Sequence, residues 1–260
     1  MRSGLFIWVC VAFSAVVLAF IAIPLLNIAT SPSPSIIWES LHDGEIMKAV
    51  LLSLYTSGMA AVICLLLGTP LAYLLARREF AGKNLVESIV DIPIVIPHPV
   101  VGIAILAVTG RNHWMGRFLA DLGVRIMGSP AGIITVLVFV SIPFFVNAAK
   151  EGFAAVPERL EKVSMTLGAS RLSTFGRVTF PLAGRSVLTG TIMSAARALS
   201  EFGAVVVVAY HPMIAPVLMF ERYQAYGLKY SQPVAFILIA MSLAIFIILR
   251  VLSSRKRTAS

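Results

Sequence analysis

The chain has 260 residues, 58% of them hydrophobic and only 13% charged, with a mean hydropathy of +0.92. A water-soluble domain of this length carries about twice that share of charge, so the composition excludes one and points to an integral membrane protein. The net charge of +9 would suit a nucleic-acid binder only if the basic residues were gathered on one binding face, and they are not.

A helix needs about 20 apolar residues to cross the hydrocarbon core of a bilayer. Six segments meet that length, near 5–29, 46–76, 85–110, 130–149, 183–210 and 232–252, in a single domain of residues 1–260 with no linker or repeat. The sequence therefore predicts an all-α integral membrane protein with six transmembrane helices. The first apolar run is too long for a cleaved signal peptide and lacks a small-x-small cleavage site. Cys10 and Cys64 both fall in apolar spans and read as small hydrophobes rather than a disulfide, metal or redox pair. "TSPSPS" at 30–35 breaks the chain after the first span, and the acidic "WESLHDGEIMK" that follows suits a short helix ahead of the second.

The third span contains "DIPIVIPHPVVGI", with Pro93, Pro97 and Pro99. Each proline removes a helical donor and crowds the preceding turn, which predicts a kink and makes Pro97 a candidate gate residue. His98 has no acidic neighbour in the sequence, so it reads as packed or interfacial rather than as a relay or ligand. Glu87 and Asp91 stand where a helix N-terminus favours negative charge. In "RNHWMGRFLADLGVRIMGSP" at 111–130, Trp114, Phe118 and Leu122 recur every four residues, as in an amphipathic surface helix.

Between the fourth and fifth spans lies the polar "PERLEKVSMTLGASRLSTFGRVTFP" at 157–181, within a region running over 150–181. Val156, Leu160, Val163 and Leu167 make a helical stripe. Pro157 suits a first helical turn, and Gly168 suits a left-handed stop. Ser170 can cap a second short helix carrying Leu172 and Phe175, which Pro181 is expected to end. The spacing alone also fits a solvated loop resting on lipid headgroups.

The fifth span, "SAARALSEFGAVVVVAY", holds Arg197 and Glu201 at i, i+4, close enough to pair, and Gly190, Ser194 and Ala198 as a row of small residues that admits another helix. The pair reads either as a structural ion pair or as the polar lining of a path. If the N-terminus is cytoplasmic, 14 of the 21 basic residues fall on the inner side and 6 on the outer, Arg197 being inside a span. That asymmetry is a topology signal, with both termini in the cytoplasm.

The order Gly168, nine residues, Val178-Thr179-Phe180-Pro181 resembles the EAA signature of binding-protein-dependent ABC importer permeases. Lys162, Val163 and Ser164 stand where that signature has its leading triplet, with Glu161 just before them. "RALSEFGA" and its continuation "VVVVAYHPMIAPVLMFERY" resemble the molybdate/tungstate branch of such permeases. The resemblance, which covers nearly the whole chain, implies a type I importer permease fold in a prokaryotic cytoplasmic membrane. It implies a coupling helix at 157–181, with Glu158, Leu160, Glu161, Leu167, Gly168, Ala169, Ser170, Arg171, Phe175 and Pro181 as the coupling residues. A translocation path or gate would involve Pro97, His98, Ser194, Arg197 and Glu201. The implied partners are a second copy of the chain, two cytoplasmic ABC ATPase subunits, an external substrate-binding protein and the bilayer, with no nucleic acid.

Gly82-Lys83-Asn84, with Arg77 five residues before Gly82, is no P-loop, and no HExxH or GxSxG motif occurs. The chain is thus expected to be no enzyme and to hold no cofactor, with ATP and Mg bound by the ATPase subunit. Two alternatives stay open: a sulfate, thiosulfate or phosphate permease, and an ATP-independent secondary transporter or channel.

Overall fold

The computed structural model describes residues 2–110 and 112–255, and every regular element among them is helical. Arg111, Lys256 and Arg257 of the charge tally lie outside the described residues. In chain order the helices are α1 (Arg2–Thr30), α2 (Pro34–His42), α3 (Gly44–Arg77), α4 (Lys83–Val95), α5 (His98–Thr109), α6 (Trp114–Asp121), α7 (Pro130–Ala155), α8 (Glu158–Thr166), α9 (Arg171–Thr174), α10 (Phe180–Leu199), α11 (Val205–Val208), α12 (Ala215–Tyr226) and α13 (Leu228–Arg255). A π-helical turn, Phe175–Thr179, joins α9 to α10.

Phe6–Thr30, Gly44–Arg77, Pro130–Ala155 and Leu228–Ile245 are each long and apolar enough to cross a bilayer, and α4 with α5 forms a fifth such unit as a bent pair. The 20-residue α10 falls where the fifth span was expected and carries Arg185 and Arg197 along its length.

The centre is a bundle of α3, α7 and α10. At one end Cys64, Ala72 and Leu75 pack on Phe145, Ala149 and Phe153 of α7 and on Ala183 and Val187 of α10. Toward the other end Ala60, Val136, Leu137 and Val140 meet Val101, Ala204, Val205 and Val208. The row of small residues on α10 lets α7 come close: Gly190 rests on the Phe145 carbonyl, and Ser194 and Ala198 are buried. By contrast, no residue of the most apolar part of α1 is buried within the chain, so this helix needs lipid or another chain around it.

Two spans differ from what was expected, a kinked helix over 85–110 and a continuous one over 183–210. The segment 85–110 turns through 114° between α4 and α5. Ile96 precedes Pro97 and is extended (φ −70°, ψ 134°), as a residue before proline must be, so the helix stops there rather than kinking. The segment 183–210 is helical only to Leu199. It leaves the helix at Ser200 and regains one turn at Val205–Val208.

The acidic stretch after α1 does form the expected helix, α2. Asp43 then caps α3, accepting the Glu45 N–H at 2.8 Å, and pairs with Arg222 of α12 at 2.7 Å. Burial pushes the Asp43 carboxyl up, but the bonds from Arg222 and from the Glu45 and Ile46 N–H groups outweigh it and hold it below the ordinary 3.8. Because the folded value is the lower one, the clamp stabilises the fold fully above the ordinary carboxylate value and loses its effect as pH falls through the depressed one. Thermal melting of Asp43→Asn against wild type should show a constant deficit from neutral pH down to about pH 5, closing only in stronger acid. A deficit that closes near pH 6 would show that the carboxylate is not held low.

Candidate functional site

The helix pair at 157–181 is built as a rigid knuckle. Pro157 precedes α8, and Glu158 and Glu161 lie in its first turn, where the helix dipole favours negative charge. α8 ends in a Schellman motif: the Gly168 N–H donates to the Met165 carbonyl at 3.0 Å and the Ala169 N–H to that of Ser164 at 3.1 Å. Gly168 has φ +92°, a conformation that costs a residue with a Cβ, and this fixes the glycine. The Ser170 hydroxyl then accepts the Ser173 N–H and caps α9, while Ser164 and Thr174 hydroxyls meet at 3.0 Å and tie the two helices together.

Glu161 fastens this unit to the bundle. Its Oε1 accepts from Arg77 Nε at 3.0 Å, Arg77 Nη2 at 2.8 Å and the Thr179 hydroxyl at 2.8 Å, and its Oε2 accepts from the Tyr73 hydroxyl. Arg77 Nη2 also reaches the Val156 carbonyl at 2.9 Å. One buried carboxylate thus joins α8 to the end of α3 and to the turn that leads into α10. Phe175 faces the same way, its ring 5.0 Å from that of Tyr73.

Glu161 and Phe175, grouped with the exposed ridge on sequence grounds, therefore point inward. The ridge itself stays open: Leu160 and Val163 are about half exposed, and Leu167 and Leu172 are 83% and 81% exposed. Glu158 sits beside it, paired with Lys162 at 3.3 Å, and Arg171 is exposed at the start of α9. Pro181 was expected to end the second helix and does not. The Phe180 N–H bonds Phe175 five residues back, and this widened turn gives the proline ring room where a regular helix would clash. The chain therefore runs from α9 into α10 as one bent rod.

Deeper in the bundle, three side chains meet where both broken spans come apart. Arg197 Nη2 lies 2.7 Å from Glu201 Oε2, the i, i+4 pair expected. His98, read as having no acidic partner, brings Nδ1 to 3.0 Å from the same oxygen, and its Nε2 lies 2.8 Å from Arg197 Nη2. The tautomer with Nδ1 protonated satisfies both contacts. Glu201 Oε1 accepts the Ala204 N–H at 2.9 Å, a donor at the N-terminal cap of α11. The carboxylate is wholly buried, while His98 and Arg197 keep part of their surface.

Gly203 lies against His98, and a Cβ there would come within 3.1 Å of the histidine Cβ. Glu201 thus braces the break after α10 against the break before α5. Ser194, counted with the path residues, is buried and donates to the Thr191 carbonyl. Glu87 and Asp91 are also in use: Glu87 pairs with Lys150 at 3.2 Å and Asp91 accepts from Asn147 at 2.8 Å, binding α4 to α7.

Residues 68–258 match the family described as binding-protein-dependent transport system inner membrane component. The chain belongs to that family. Within it, the chain is 43% identical over 258 residues to a molybdate/tungstate transport system permease protein of Thermococcus kodakarensis, with 98% of this chain and 99% of the relative covered. It is 33% identical over 201 residues to a sulfate transport system permease protein of Synechocystis, covering 76% and 70%. Among solved structures it resembles a chain of a bacterial alginate ABC transporter determined in complex with an alginate pentasaccharide-bound periplasmic protein, with a TM-score of 0.78 at 14% identity over 99% and 96% of the two chains. The all-α type I importer permease fold expected for this family is the one observed.

Proposed function

We propose that this chain is the membrane-spanning permease subunit of an ATP-driven importer for molybdate and tungstate, with sulfate import as the less favoured reading. The observation that carries the substrate is the 43% identity over nearly the whole chain to a molybdate/tungstate permease, against 33% over three quarters of it to a sulfate permease. In this reading two copies form the path, the open ridge of α8 with its glycine turn seats on an ATPase subunit in the cytoplasm, and an external protein delivers the anion. The alginate transporter bound to its periplasmic protein supports that last partner. ATP and Mg belong to the ATPase, and this chain acts mechanically.

The mechanics follow from the geometry. Leu160, Val163 and Leu167 offer an apolar grip, Gly168 and Ser170 keep the two helices at a fixed angle, and Glu161 transmits a push to α3 and α10 together. At the far end of α10 the Arg197–Glu201–His98 cluster links that rod to the broken α4–α5 span. Displacement of the knuckle would thereby move both breaks, which are the parts of the spans able to open.

The test is uptake into vesicles holding the permease and its ATPase, given binding protein loaded with molybdate, tungstate or sulfate. ATP-dependent accumulation of molybdate and tungstate, with sulfate at least about tenfold slower, is expected. Uptake that proceeds without ATP, or that favours sulfate, would overturn the reading.

A further inference from the structure

Beside the knuckle lies a groove of about 720 Å³ whose walls come from two directions. One wall is a stripe of α3: Thr69, Pro70, Tyr73, Leu74, Arg77 and Arg78. The other is formed by α8 and α9, with Glu158, Glu161, Met165, Arg171 and Leu172. From Thr69 to Arg78 the stripe climbs about 13 Å along a helix long enough to span the bilayer. The groove is therefore a trough with apolar patches at Pro70 and Leu74 that runs along the end of α3 and finishes among guanidinium groups.

Its charges are unequal. Glu161 is taken up by Arg77, and Glu158 by Lys162. Among the described residues no carboxylate lies within ion-pair distance of Arg78 or Arg171, and both are exposed. Leu74 and Leu172, exposed on either side, leave hydrocarbon surface next to that positive charge.

We propose that this groove binds an anionic phospholipid, with the phosphate held between Arg78 and Arg171 and an acyl chain lying along Leu74 and Pro70. Guanidinium forks match phosphate oxygens, and basic hollows between helix ends at a membrane surface are where anionic headgroups settle. A free phosphate ion would have no use for the trough, whereas a lipid tail fills it. The lipid would cement α3 to the knuckle beside Glu161 and so couple lipid composition to the stroke. Its assignment to the inner leaflet rests on the orientation proposed above, but binding in detergent does not depend on that orientation.

Native mass spectrometry of the purified full chain, titrated with phosphatidylglycerol, phosphatidylcholine or inorganic phosphate, tests the site. Wild type should retain phosphatidylglycerol roughly tenfold more tightly than phosphatidylcholine, whose phosphate meets the same two guanidinium groups but whose choline cation offsets the attraction. The Arg78→Gln/Arg171→Gln double variant should lose that preference while melting like wild type, and Arg117→Gln on the exposed face of α6 should keep it. Equal retention by the double variant would overturn the proposal. So would displacement of the lipid by millimolar phosphate, which marks a free-anion site, or by the purified ATPase subunit, which marks the groove as part of the protein interface.

Discussion

Replacing Glu201 by alanine is expected to destabilise the protein by about 3–5 kcal/mol, because it strands Arg197 inside the bundle without its counter-charge. The same change also orphans the Ala204 N–H, a penalty of about 1–3 kcal/mol when no water replaces the carboxylate. These costs overlap and are not to be added. Arg197→Ala should cost less, since His98 still donates to the carboxylate. An Arg197→Met/Glu201→Met variant should recover most of the lost stability, as apolar replacements of buried ion pairs commonly do. Melting of the detergent-purified variants measures this directly. Uptake by the stable double variant then separates the two roles left open by the sequence. A purely structural pair leaves transport intact, whereas a link between the broken spans, or a lining of the path, does not.

The second large effect is expected at Gly168. A side chain there meets nothing within 4 Å, so any consequence comes from the backbone at φ +92° and not from crowding. Valine in that conformation is strained by roughly 1–2 kcal/mol or more, and the chain would relieve it by opening the angle between α8 and α9. Membrane insertion and yield should stay near wild type, while ATP-driven uptake falls more than tenfold and ATP hydrolysis by the partner continues, about 1.4 kcal/mol of lost coupling per factor of ten. Gly168→Asn, which tolerates the left-handed conformation, should retain most uptake. Equal uptake by the valine and asparagine variants would separate the turn from coupling.

What the sequence made legible here is local. The spacing of Leu160, Val163 and Leu167, the glycine at 168 and the serine at 170 report the fates of single turns, and those turns formed as read, whereas Val156, read into the same stripe, is extended and buried in the core. Arg197 and Glu201, one helical turn apart, were legible as a pair for the same reason. The contacts that organise the site were not. Glu161 finds Arg77 84 residues away, and Arg197 finds His98 99 residues away. No periodicity encodes such distances, so Glu161 looked like a surface residue and His98 looked solitary.

The end of α10 at Leu199 was hidden for a related reason. Nothing in "LSEFGAVVVV" except Gly203 breaks a helix locally, and the break is held by a carboxylate and a close approach to His98 that exist only in the folded bundle. Pro181 misled in the opposite direction. Proline ends regular helices, but the π turn at Phe175–Thr179 widens the backbone ahead of it.

Coupling of this kind requires that the ridge of α8 and its glycine turn be the surface that a separate ATPase grips. Cysteines placed singly at Ala169 and Ser170, on the turn of the knuckle, test it when the permease is assembled with its ATPase and treated with a short reagent that joins a thiol to a nearby amine. Cross-linking to the ATPase at both positions, altered by nucleotide and absent for a cysteine at Arg117 on the opposite end, is the expected result. Full ATP-driven uptake with no cross-link to the ATPase from either turn position would contradict it.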